Sequence, residues 1–103
     1  MSRWYQWIDG KAVMVDTWTP NILQSHEERK VGYTEFPNGA YVSTVFLGLD
    51  HGWGDGPPVL WETMMFWDGH ELDNEMERYT SRLDAEAGHE AMVKRVQDAI
   101  AAD

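Results

Sequence analysis

Apolar and polar residues alternate in short stretches along most of this chain, and the pattern changes to helical spacing once, near the C-terminus. The first stretch, Trp4 to Val15, consists of two alternating runs around Asp9-Gly10, a pair that supplies the positive φ angles of a type I′ turn. It predicts a tight hairpin over residues 3–16. A two-residue loop places Tyr5, Trp7, Ala12 and Met14 on one face and Trp4, Gln6, Ile8, Val13 and Val15 on the other. Both faces are substantially apolar, so one covers the core and the other calls for a second copy of the chain, a partner or the helix. Trp4, Tyr5 and Trp7 are the interface candidates.

Residues 41–49 and 59–67 are rich in β-branched and aromatic side chains, and Gly52, Gly54, Gly56, Pro57 and Pro58 between them stop both runs. In the second run both parities are apolar, with Val59, Trp61, Met65 and Trp67 on one and Leu60, Met64 and Phe66 on the other, which predicts a central strand covered on both sides. Residues 31–36 precede Pro37-Asn38-Gly39, a short turn into the first core strand. After the second, a polar loop over 68–74 leads to a charged edge strand at 76–79. Ser81 caps a helix with Asp84 at the third helical position, and Ala85, His89, Met92, Val96 and Ala99 or Ile100 form its apolar stripe. Gly88 inside that helix implies close approach to a strand or a bulky ring. Thr19-Pro20 suggests no more than a turn of helix between 17 and 30. The expected fold is a single α+β domain: hairpin 3–16, antiparallel meander 31–80 and helix 81–101 packed on the sheet.

At 103 residues the chain can bury a core without a staple, and it contains no cysteine, which excludes disulfide frameworks and thiol chemistry. No apolar run reaches the ~18 residues of a membrane span, and the first residues lack a signal-peptide core, so a non-membrane, intracellular protein is expected. Eighteen acidic against eight basic residues give a net charge of −10, which disfavours contact with phosphate backbones and anionic lipid. No direct nucleic-acid binding is expected.

Candidate chemistry concentrates at Glu62, in the loop after Leu49 and at His89. Glu62 lies on the Leu60/Met64/Phe66 parity, where an unpaired buried charge costs on the order of several kcal/mol. It requires an Arg such as Arg78, a strand end near solvent, or a role as a tuned acid, base or ligand. Asp50 to Gly56 resembles neither a phosphate loop, because it leads into Pro57-Pro58 and a strand, nor a calcium loop, because Asp55 stands where glycine is needed. A structural turn is the simpler reading. Lys30, Asn74 and Val93 occupy the positions four after His26, His70 and His89, so the zinc-protease helix is missing. A metal shared by Asp50, His51, Asp68 and His70 is split if their strands form a hairpin. His89 is either a core histidine with satisfied ring nitrogens or a ligand-facing one. The ligand-binding candidates are therefore His51, Trp53, Trp61, Glu62 and His89, with no catalytic residue, metal or cofactor assigned.

Leu47 to His51, Gly56 to Pro58, Glu62 to Met64, Arg78-Tyr79 and Ala87 to His89 together resemble a family of small proteins encoded by tailed phages, especially actinobacterial ones, and by related prophages. The likeness spans about residues 43 to 93; where its pattern has glycines after the Glu-Thr-Met strand, this chain has Trp67-Asp68-Gly69. The resemblance implies phage origin and expression in the host bacterial cytoplasm, and carries no activity with it. The leading expectation is a non-enzymatic accessory protein acting by self-association or by binding a host protein. The rivals are a small-ligand or nucleotide binder in counter-defence built on His51, Trp53, Trp61 and Glu62, and a metal-dependent hydrolase using Asp50, His51 and Glu62.

Overall fold

The computed structural model describes residues 3–15, 29–52 and 56–102. Its elements are β1 (Trp4–Ile8), β2 (Lys11–Val15), β3 (Lys30–Glu35), β4 (Tyr41–Phe46), β5 (Trp61–Phe66), β6 (Met76–Tyr79) and α1 (Arg82–Ala102). β1 and β2 pair as a hairpin, β3 to β6 form an antiparallel meander in chain order, and α1 packs across one face of the meander. This is the α+β architecture that the pattern predicts. The turn of helix expected between 17 and 30 lies outside the described residues, apart from its last two positions.

Local chemistry explains most of the boundaries. Asp9 and Gly10 have φ of 49° and 77°, the two positive values of a type I′ turn, and the register pairs Tyr5 with Met14 and Trp7 with Ala12. Between β3 and β4, Gly39 takes φ of 91°, the Phe36 N–H donates to the Ala40 carbonyl at 2.9 Å, and the Asn38 side chain accepts from the Ala40 N–H at 3.0 Å. The Ser81 hydroxyl accepts from the Asp84 N–H at 3.1 Å and starts α1.

The first core strand ends earlier than its composition suggests, at Phe46 instead of Leu49. Gly48 adopts φ of 79° and turns the chain toward the hairpin: its carbonyl accepts from the Tyr5 N–H, and the Asp50 N–H donates to the Arg3 carbonyl at 2.9 Å. A bridge between Trp4 and Leu49 completes the seam. The leucines on either side of Gly48 thus join the hairpin to the meander.

The sheet is covered differently from expectation. Trp61, Thr63 and Met65 are buried under α1, whereas Glu62, Met64 and Phe66 are only half-buried. Among the described residues α1 alone packs on the meander, so the reading of β5 as covered on both sides is met on one face, while on the other Phe66 stacks laterally on Tyr41. The core beneath α1 forms two clusters, Ala40, Val42, Met65, Met92 and Val96 at one end and Phe46, Leu60, Trp61 and Ala85 at the other. Tyr5, Trp7 and Ala12 of the hairpin close the second cluster.

Ala85, His89, Met92 and Val96 are the buried residues of α1, as the spacing predicts, but the stripe runs out in the last turn, where Ala99 is half-buried and Ile100 exposed. Gly88 lies against the Tyr79 ring so closely that a Cβ would overlap its hydroxyl and edge carbons. We predict that Gly88→Ala lowers stability by about 1–3 kcal/mol, outweighing the ~1 kcal/mol gain in helix propensity. Urea denaturation measures it, and combination with Tyr79→Ala should cost less than the sum of the single changes.

Candidate functional site

A chain of polar groups crosses the interior between the two apolar clusters. Thr44 and Thr63, paired across β4 and β5, lie 2.6 Å apart through their hydroxyls. The Thr44 hydroxyl also meets His89 Nδ1 at 2.7 Å, and His89 Nε2 meets the Thr34 hydroxyl at 2.9 Å. Thr44, Thr63 and His89 are all buried. Gly32 makes room for the imidazole, since a Cβ there would stand 3.0 Å from the ring. Both ring nitrogens are thus engaged, one donating and the other accepting in the neutral ring.

Burial pushes the His89 pKa below its ordinary 6.5, with Glu90 opposing weakly. The contribution of this neutral ring to stability is complete above about pH 6.5 and is lost as pH falls toward the lower folded-state value, because the unfolded chain takes up a proton that the folded one refuses. Asp50, held below the usual carboxylate range by the N–H groups of Gly52 and Val59, loses its contribution only in more acid solution, below its ordinary 3.8. Denaturation midpoints measured from pH 7.5 to pH 5 should fall, and His89→Gln should flatten that slope while lowering stability at neutral pH by roughly 1–3 kcal/mol.

The ligand candidates occupy separate environments. Trp61 is 3 % exposed and packs edge-on against Trp7 and tilted against Phe46, with centroids 5.6 and 5.4 Å away. Glu62, its neighbour in β5, points through the opposite face and pairs with Arg78 at 3.0 Å across the β5–β6 register. His51 follows β4, with its N–H donating to the Val59 carbonyl at 3.0 Å. His89 belongs to the internal polar chain, and Trp53 lies outside the described residues. Trp61, Glu62 and His89 are thus not brought into one pocket.

Asp50 is the anchor of its loop, accepting from the Gly52 and Val59 N–H groups at 2.8 Å each. It stands beyond the Phe46/Trp61 end of the β4–β5 pair, while Asp68 and His70 lie beyond the Tyr41/Phe66 end, roughly 17 Å of strand away. His70 stacks on Trp67, with centroids 3.7 Å apart, and its Nδ1 accepts from the Leu72 N–H. Among the described residues no group of His, Asp and Glu is arranged to hold a metal.

The face away from α1 carries a feature that the linear pattern did not disclose. Tyr33, Tyr41 and Phe66 form a ladder across β3, β4 and β5, with centroids 5.5 and 4.6 Å apart. The second spacing matches the distance between neighbouring strands, and its rings lie within 20° of parallel, so they stand on edge instead of lying flat on the sheet. Such rings offer edges and hydroxyls, a poor platform for stacking bases or sugars. A shallow cleft of about 340 Å³ runs beside them, floored by Ser43 and bordered by Lys30, which lies over the Tyr33 ring. The Tyr33 hydroxyl donates to Glu35 at 2.8 Å, which holds the phenol protonated and raises its pKa.

The hairpin divides the interface candidates. Tyr5 and Trp7 pack inward on the second core cluster, with the Arg82 guanidinium 5.3 Å from the Trp7 ring centroid. Trp4 is left half-buried on the outer face with Ile8 and Val13, which are 40 % and 41 % exposed. Fold and surface together define a two-layer α+β protein with a polar chain inside and apolar side chains on its open sheet face and outer hairpin face. No known protein family, curated protein or solved structure matches the chain.

Proposed function

We propose that this chain is a small, non-enzymatic accessory protein of a tailed phage, working in the host bacterial cytoplasm by binding protein, either a second copy of itself or a host protein. The observation that carries the reading is the Tyr33–Tyr41–Phe66 ladder on a sheet face that α1 leaves open. Aromatic rings on edge, flanked by Met64 and the Glu62–Arg78 pair, suit the apolar centre and polar rim of a protein interface. The outer hairpin face around Trp4 adds a second apolar area. His89 and Glu62, the groups that a catalytic reading needs, are occupied by Thr34, Thr44 and Arg78. The resemblance to small tailed-phage proteins supports the assignment of origin.

Native mass spectrometry of the untagged protein reports its stoichiometry, and immobilised protein challenged with host lysate reports a host partner. Tyr41→Ser combined with Phe66→Ser should dissociate the complex while circular dichroism stays unchanged, and Trp4→Ala should weaken it. A strict monomer whose host interactions ignore all three substitutions would contradict the proposal.

A further inference from the structure

The edge of β3 that faces away from β4 lies on a different surface from the aromatic ladder's open face and has its own recognition chemistry. Among the described residues β3 pairs with β4 alone. The Phe36–Ala40 hydrogen bond sets the phase of that ladder: Gly32 and Thr34 turn their backbone groups toward β4, while Tyr33 and Glu35 turn theirs outward. The opposite edge strand, β6, is shorter, with the charged Glu77 and Arg78 at its centre, which blunts it against pairing. The centre of β3, Gly32-Tyr33-Thr34, is uncharged.

Beside this edge a groove of about 360 Å³ opens between β3 and α1. Gly32 and Thr34 contribute from the strand, and Glu86, His89 and Glu90 from the helix. The absence of a side chain at Gly32 that admits the His89 ring also keeps the strand side of the groove low. Glu86 is held only loosely by Arg82, at 3.7 Å, and Glu90 has no ion pair among the described residues. The groove thus combines outward backbone donors and acceptors with two carboxylates one helical turn apart.

We propose that β3 accepts an extended segment of a partner protein as an added antiparallel strand, with a lysine or arginine of that segment lying in the groove against Glu86 and Glu90. Backbone bonds to Tyr33 and Glu35 supply the affinity, and the carboxylates select the charge. A second copy of this chain fits poorly, because edge-to-edge pairing brings two Glu86/Glu90 pairs together and joins chains of net charge −10. The occupant is therefore a cationic strand from a different protein.

The test is titration of the ¹⁵N-labelled full chain with a seven-residue alternating lysine/valine peptide, and with its glutamate/valine counterpart. The lysine peptide should shift the Tyr33 and Glu35 amides saturably and slow their hydrogen exchange, and the glutamate peptide should not. Glu86→Gln with Glu90→Gln should weaken binding by about tenfold or more. Tyr33→Pro should abolish binding by removing an outward N–H, and if that variant does not fold, the glutamine variant carries the test. Phe66→Ser should leave binding intact, which separates this site from the open face. Absence of saturable shifts, equal binding of both peptides, or protection of the β3 edge by self-association alone would overturn the proposal.

Discussion

The hydrogen-bonded chain from Thr63 through Thr44 and His89 to Thr34 ties together three strands and the helix, and the rest of the fold is arranged around it. Apolar packing is non-directional, so the clusters around Met65 and Trp61 would tolerate small slips of α1 along the sheet. The polar chain does not. Moving α1 by one residue would leave both His89 nitrogens without partners in a buried place and the Thr44 hydroxyl with Thr63 alone, at a cost of about 1–3 kcal/mol for each unsatisfied group. A helix register set this way also sets where Gly88 meets Tyr79 and where Glu86 and Glu90 stand beside β3.

A second constraint operates where the hairpin meets the meander. The segment after Phe46 bonds on both sides, to Arg3 and Tyr5 of the hairpin and to Val59 and Leu60 just ahead of β5. Gly48 supplies the positive φ that this dual role requires, and a Cβ there would also approach the Tyr5 carbonyl to 3.4 Å. Asp50 holds the following loop by accepting two backbone N–H groups. Asp50 and the His51 backbone, in the loop after Leu49, are in this way engaged in holding the hairpin and the loop.

Much of this was legible because it depends on local rules. Asp9-Gly10 specifies its turn, Ser81 and Asp84 specify a helix start, and Gly88 signals a close ring. Arg78 was a foreseeable partner for Glu62, since opposite charges at a strand and its edge neighbour readily meet. What the linear chain does not disclose depends on register between strands. Thr34, Thr44 and Thr63 are ordinary strand residues until pairing places them in one layer with His89. Tyr33, Tyr41 and Phe66 belong to three different runs, and only the cross-strand alignment stacks them. The two apolar parities of β5 suggest burial on both faces, but among the described residues the second parity meets lateral neighbours such as Tyr41 and no covering layer. Gly32 and Gly48 carry the one linear signal of these features, because glycine inside a strand marks close approach or a bend.

The internal polar chain on which this fold depends rests first on the state of His89. Nitrogen chemical shifts of the imidazole, recorded while pH is lowered from 7.5 to 5 under folding conditions, measure that state directly. A ring that remains neutral and in a single tautomer well below pH 6.5, its ordinary pKa, is the result predicted. A ring that takes up a proton near 6.5, as an accessible histidine does, would contradict the internal role and return His89 to the candidates for ligand chemistry.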